Sequence, residues 1–499
     1  MMPLKTKKSA FKANVASLVS KIVSTIGPFI LVPIFVKYLT IEEYGIWLIL
    51  LSITSFFYLT NVGILQVVTN AIAKDISMEK VDYYSQVASS GYYLFRRITL
   101  SVLLIAAIIF AVISYFDPAI YNRGAVPLAI MLTAILVTYP LFVYRNVLRG
   151  LDQIHLEQMC EILLGSITRY IAIIIALLSG FKLIMLAVIY GIGHCFPSFG
   201  AKYVLKKLIP KFKISRANRS AEITTNMIRP SASFFILMLS GSFLNSIDNL
   251  VIGTFIGAES VPMYAIPMQL ILVFLHTIGI VSITKMPLIS GLYKKENFKD
   301  LQSLYRTLLF FSSMIASIVI VNLIFFGETI IVAWAGPEIF PGNDIFFLML
   351  FFTFLFSLSW PSDAVLTASE KHAAYANMTV VEAILNVILT IYLTYKYGLI
   401  GAISGTVVSR LLTNAWFMFY QTLKTLEYKS KDFLIWAVKD IFSPLILLSS
   451  IMFSINYFNI SVNYPIVLQI IILNFLIFLI LVFTSGKNIM KVINSVMNN

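Results

Sequence analysis

The sequence predicts an all-α integral membrane protein of about 14 transmembrane helices, and three observations predict it. The composition is 59% hydrophobic and only 12% charged, where a soluble domain carries roughly 25% charged residues. Apolar stretches long enough to cross a bilayer, about 20 residues each, recur from one end of the 499-residue chain to the other. Lysine and arginine then fall in alternate connections between those stretches, as cytoplasmic loops retain them. A mean hydropathy of +0.89 excludes a soluble enzyme, a nucleic-acid binder and a disordered scaffold. The net charge of +14 therefore belongs to loops at a membrane surface.

The first span, 14–37, follows a basic N-terminus (Lys5, Lys7, Lys8, Lys12). It is too long for a signal-peptide core and no small-residue cleavage site follows closely, so it reads as an uncleaved first helix. Further spans are expected at 44–66, 97–116, 124–145, 158–179 and 183–204, then at 230–256, 262–284, 306–326, 345–367, 374–394 and 398–421, and last at 433–457 and 464–485. With the N-terminus cytoplasmic, 29 Lys/Arg lie in cytoplasmic segments, against four (Lys37, Arg123, Lys182, Lys396) on the other side. The 202–229 connection alone carries Lys202, Lys206, Lys207, Lys211, Lys213, Arg216, Arg219 and Arg229 against Glu222. The outer connections carry Glu42, Glu43, Asp117, Glu259, Glu328, Glu338 and Asp344. A wrong span count would scramble this alternation, so both termini are expected in the cytoplasm. Every connection is short, which disfavours a membrane glycosyltransferase or polymerase.

The two halves echo each other. Tyr38 to Trp47 after the first span and Phe255 to Tyr264 after the seventh are both tight acidic turns containing a tyrosine. Val147-Leu148 before Asp152-Gln153 matches Val365-Leu366 before Glu370-Lys371, and Gly180 matches Gly398. Both units start on the same side, so the repeat is parallel. The expected organisation is an N-lobe over 1–208, a basic cytoplasmic linker over 209–227, a C-lobe over 228–425, and two extra helices within 426–499. A parallel repeat places a substrate path between its lobes.

Leu39-Thr-x-Glu-Glu-Tyr-Gly-Ile-Trp47, Ile247-Asp248-Asn249-Leu250-Val251-Ile252-Gly253, Gly257 and Tyr264, with two six-helix units and two further helices, resemble one transporter group. The chain looks like the Wzx-type polysaccharide or O-antigen repeat-unit flippases of the multidrug/oligosaccharidyl-lipid/polysaccharide exporter superfamily. The resemblance covers the whole chain through soft hydrophobic patterns. At the end of the second helix that group often has Asp before Gly. This chain has Asn61 before Val62-Gly63, so a carboxylate role does not carry over.

Ionisable groups inside spans are expensive and mark function by default. Eight fall there: Lys21, Glu161, Arg169, Asp248, Glu382, Arg410, Lys439 and Asp440. Ser17, Lys21 and Ser24 share one helical face and are candidates to line a hydrated cavity. Lys21 would otherwise snorkel to the headgroups. Arg169 stands about 12 Å of helix rise from Glu161, so it needs another partner, either a substrate phosphate or a carboxylate from elsewhere; guanidinium geometry suits phosphate. In the seventh span, Ser242, Asn245, Asp248 and Asn249 form a second polar stripe. Asp248 is a candidate coupling site for H⁺ or Na⁺, or the centre of a structural hydrogen-bond network. Glu382 and Arg410, at similar depth in the eleventh and twelfth spans, read as a structural ion pair. His276 reads as a structural histidine ahead of a proton relay, and Lys439 and Asp440 as packing or interface residues.

No phosphate-cradling loop, zinc-type spacing or nucleophile elbow occurs, so neither enzyme activity, cofactor nor metal is expected. Cys160 and Cys195 are assigned to packing. The resemblance implies a flippase for a polyprenyl-diphosphate-linked oligosaccharide in the bacterial inner membrane, working by alternating access. Its partners are that lipid-linked substrate, membrane lipid, a coupling H⁺ or Na⁺ and other polysaccharide-assembly proteins, and no nucleic acid. The alternatives are a cation-coupled multidrug exporter of the same superfamily and a membrane polymerase or ligase.

Overall fold

The computed structural model describes residues 7–59, 62–74, 80–116, 124–428 and 441. Among them there are helices and turns and no strand. The first expected span falls in α1 (Lys7–Tyr38). The second is α2 (Ile41–Leu59) with α3 (Val62–Ala73), and the third is the far end of the long α4 (Val81–Phe116). The fourth breaks into α5 (Ala125–Thr138) and α6 (Phe142–Gly150), joined by a 3₁₀ turn. The fifth comprises α7 (Ile154–Cys160), a π-helical stretch over Glu161–Ile167 and α8 (Thr168–Leu178). Then come α9 (Leu183–Leu208), α10 (Ala221–Phe255), α11 (Val261–Thr284), α12 (Met286–Lys294) and α13 (Phe298–Ala335). The tenth to twelfth spans are α14 (Asn343–Ser357) with α15 (Ser359–Ala368), α16 (His372–Tyr397), and α17 (Leu399–Leu412) with α18 (Asn414–Thr425). Apart from Ile441, the expected spans at 433–457 and 464–485, with Lys439 and Asp440, lie outside the described residues. Among the described residues, eight helical segments are long and apolar enough to cross a membrane, and this is a multi-pass membrane protein.

Local chemistry sets the helix ends. Thr40 and Glu43 form a reciprocal capping box at the start of α2: the Thr40 N–H donates to Glu43 Oε2 at 3.0 Å, and the Glu43 N–H to Thr40 Oγ1 at 3.2 Å. Ser220 and Asn297 cap α10 and α13 by accepting from the third residue beyond. Pro28 and Pro33 lie inside α1 without ending it, which membrane helices tolerate because neighbouring groups satisfy the freed carbonyls.

Two compact units divide the chain, Met1–Ala265 and Ile266–Asn499. In the first, α5 packs on α9, α1 on α7 and α8, and α10 on α2 and α3. Its core gathers Val68, Ile72, Tyr84, Phe95, Val147 and Leu205, among others, from five helices. In the second, α16 packs on α17, α14 on α13 and α17, and α15 on α18. The α16–α17 approach is close: a Cβ on Gly405 would meet the Thr390 backbone N at 2.6 Å.

The internal repeat is written in the backbone. Positive φ angles occur at Gly124 and Gly342, at Asp152 and Glu370, and at Gly180 and Gly398. Each pair is 218 residues apart (342 − 124, 370 − 152, 398 − 180). The hydrogen bonds follow the same offset. The Gln153 N–H reaches Leu148 O at 2.9 Å, and the Lys371 N–H reaches Leu366 O at 2.8 Å. These are the longer-range bonds of a Schellman-type helix end, which requires a left-handed residue just past the helix.

Candidate functional site

In the first unit the fifth and sixth spans build a basic, aromatic cluster around Arg169. Its guanidinium lies 5.5 Å from the ring centres of both Tyr170 and Tyr190. Arg169 Nη1 donates to His194 Nε2 at 3.3 Å, which makes that ring nitrogen an acceptor and places any ring proton on Nδ1. Tyr190 meets His194 edge-on at 4.4 Å and Trp47 at 5.9 Å, so the cluster is braced by the buried core of α2. Between Glu161 and Arg169 a π-helical stretch, Glu161–Ile167, replaces the uniform α-helix that the sequence predicted. Such π turns are frequent at functional sites.

Glu161 instead receives Arg145 Nη1 at 2.7 Å. Arg145 Nε also donates to the fully buried Glu157 at 2.9 Å, and Arg149 adds a bond from Nη2 at 3.0 Å. This Arg145–Glu157–Arg149 network at the α6–α7 elbow was not legible as a unit, because its members straddle a turn between two spans. His194 likewise gave no motif signal; only its place on α9 opposite Arg169 reveals it.

α1 brings the other cation to the same unit. Ser17, Lys21 and Ser24 are all exposed, and Ser24 Oγ donates to the Lys21 carbonyl at 3.0 Å. The flank carrying Val19, Ile22, Ile26 and Ile30 is exposed as well. Further along α1, Gly27 abuts the Tyr170 ring so closely that a Cβ there would sit 2.0 Å from it. Lys21 is six residues before that contact, about 9 Å of helix rise. Lys21 and Arg169 therefore belong to neighbouring helices, at different depths.

The seventh span carries Asp248, which is buried and accepts a hydrogen bond from the Tyr264 hydroxyl. Its neighbours bind α2: Ser246 Oγ lies 3.0 Å from Ser55 Oγ, and Asn249 Nδ2 donates to Ser52 Oγ at 3.0 Å. Asn245 lies in α10 and His276 in α11, with their side chains outside the described ones. In the second unit Arg410 Nη1 donates to Glu382 Oε1 at 3.0 Å, and Arg410 Nη2 to Ser359 Oγ at 2.6 Å. Asn414 Nδ2 adds a bond to Glu382 at 2.6 Å. Among the described residues no group of His, Cys, Asp and Glu could hold a metal ion.

Residues 11–293, more than half of the chain, match the family described as polysaccharide biosynthesis protein. The chain belongs to that family. No curated protein sequence matches it. Among solved structures, this polysaccharide biosynthesis protein is similar to the lipid II flippase MurJ in an inward closed conformation, at 15% identity and TM-score 0.72. That match covers 96% of this chain and 99% of MurJ. It is also similar to an inward-facing multidrug resistance MATE family transporter of the MOP superfamily (16% identity, TM-score 0.67, covering 83% of this chain and 98% of that one). A third likeness is to a MOP superfamily transporter from Pyrococcus furiosus (15% identity, TM-score 0.59, covering 85% and 97%). The fold of this family member is thus that of the MOP superfamily transporters.

Proposed function

We propose that this protein is a flippase that moves a polyprenyl-diphosphate-linked oligosaccharide repeat unit from the cytoplasmic to the outer leaflet of a bacterial inner membrane, for an O-antigen-like surface polysaccharide. The observation that carries the proposal is membership of the polysaccharide biosynthesis family. Chain length supports it: the MurJ match extends over 96% of the chain, whereas the multidrug transporter, itself almost fully covered, leaves 17% of this chain unmatched.

The physical task explains the parts. A glycan loses too much hydration to cross hydrocarbon bare, so it needs a polar-lined path, and its diphosphate needs fixed positive charge. Lys21 on α1, with Ser17 and Ser24, and Arg169 on α8 are the residues proposed to meet it. Asn245 is assigned to the same cavity, Asp248 to a coupling H⁺ or Na⁺, and Glu382–Arg410 to structure. In this reading the lobes at 1–208 and 228–425, linked by 209–227, alternate their access around the substrate, and no bond is made or broken.

The test is deletion of the gene in its native host, with lipid-linked repeat units, surface glycan and cationic-dye sensitivity measured together. Single repeat units accumulating on the cytoplasmic face, with surface glycan lost, are expected. Units stranded on the outer face would indicate a polymerase or ligase. Normal glycan with raised dye sensitivity would indicate a drug exporter.

A further inference from the structure

The exposed apolar stripe of α9 runs from Ile184 through Ile192, Phe196 and Phe199 to Tyr203, which is 70% exposed. Steps of eight, four, three and four residues keep it on one helix face. From Ile184 to Tyr203 the helix rises about 29 Å, close to the roughly 30 Å thickness of a bilayer's hydrocarbon core. At one end, just before the stripe, stands Lys182, paired with Glu43 at 2.7 Å. At the other, Tyr203 occupies the position of an interfacial aromatic. The next residues on the same face, three and four positions on, are Lys206 and Lys207, both exposed. The face that meets acyl chains therefore continues into two lysines at headgroup level.

The segment that follows is fixed in place. Ile209 and Phe212 are buried in the core of the first unit. The backbone N–H groups of Lys213, Ser215 and Ser220 donate to Ser85, Ser89 and Ser90 of α4 at 3.3, 3.1 and 3.1 Å. Lys211, between the two buried anchors, and Lys213 are exposed. No acidic residue occurs between Lys202 and Glu222. Topology alone accounts for the sign of these charges but does not require the segment to be clamped.

We propose that the foot of α9 and this clamped segment bind the headgroup of an anionic phospholipid in the leaflet on the N-terminal side, through Lys206, Lys207 and Lys211. The site rests on the reading of the chain as a membrane transporter only for the placement of the bilayer. Clustered lysines at a leaflet surface attract anionic headgroups, while the apolar stripe above them receives the acyl chains.

The experiment is native mass spectrometry of the full chain in detergent, titrated with phosphatidylglycerol or phosphatidylcholine. The wild type is expected to retain phosphatidylglycerol over phosphatidylcholine. The K206Q/K207Q/K211Q variant is expected to lose that retention by about fivefold or more. K206R/K207R/K211R is expected to keep it, as is K294Q/K295Q/K299Q, which removes three exposed lysines from the second unit. Equal retention by the glutamine variant and the wild type would overturn the proposal. So would an equal loss in the second-unit variant, which would indicate a diffuse field. Displacement of phosphatidylglycerol by one equivalent of polyprenyl diphosphate would also overturn it, assigning these lysines to substrate. The titration does not depend on transport, so it can fail while the flippase reading stands.

Discussion

Arg410 holds Glu382 through bonds to both carboxylate oxygens, 3.0 Å to Oε1 and 3.3 Å to Oε2, with both side chains buried. Ser359, Asn414 and the Phe356 ring, 4.7 Å from the guanidinium, enclose the pair. Removing one partner leaves an uncompensated buried charge. Glu382→Ala or Arg410→Ala is therefore expected to lower stability by about 3–5 kcal/mol, and a volume-matched E382L/R410M double change by much less. Thermal unfolding of the detergent-solubilised protein checks this. Transport is expected to survive the double change, which separates a structural pair from a coupling one.

Asp248 and Tyr264 predict the opposite division. Tyr264→Phe deletes a donor to a buried carboxylate and is expected to cost about 1–3 kcal/mol, with export of lipid-linked oligosaccharide still measurable. Asp248→Asn keeps the shape and is expected to abolish ion-dependent export in proteoliposomes. Full activity of Asp248→Asn would remove Asp248 from the coupling role.

Gly45 of α2 lies against the Ala258 carbonyl, where an added Cβ would sit only 1.7 Å from the oxygen. Backbone on both sides leaves no flexible side chain to yield. Gly45→Ala is expected to push α2 away from the Ala258–Ser260 turn, at about 1–3 kcal/mol of overpacking cost. A thiol-reactive probe at an introduced A258C, with Cys160 and Cys195 replaced, is expected to react several times faster in the Gly45→Ala background.

The Glu43 carboxyl is held below its usual range. Its partial burial works the other way, but the Lys182 ammonium and the Thr40 N–H outweigh it. A depressed folded value means the contribution is present above the unfolded value and is lost as pH falls through the folded one. The melting-temperature difference between wild type and Glu43→Gln is therefore expected to be positive at pH 7, and to shrink progressively as pH falls below the ordinary glutamate value of about 4. High salt at pH 7 is expected to shrink it too, because the Lys182 side chain is largely exposed.

The helical course was legible because bilayer thickness and charge placement act residue by residue. Among the described residues, all twelve apolar stretches up to 398–421 are predominantly helical. The offset between Gly180 and Gly398 was legible because only a few residue types tolerate a left-handed turn. The Arg169 partners were not, because spacing along one span says nothing about which residue of the next span faces it: His194 is 25 residues away on α9. The π-helical stretch was hidden for a different reason. Its widened turn lets Thr168 Oγ1 reach back to the Leu163 carbonyl at 2.6 Å, and no residue type signals that in advance.

The shared offset of 218 residues also shows what the two halves have let go. Arg145 in the first half donates to Glu157, while Asp363, at the matching position in the second, accepts from Tyr375 at 2.6 Å. The same two places in the chain are bonded to each other in both halves, yet a cation has become an anion and a carboxylate has become a phenol. The bends of the backbone have thus outlasted the charges hung on them. Kinship between the halves is to be traced through dihedral angles, and their division of labour through the side chains in which they differ.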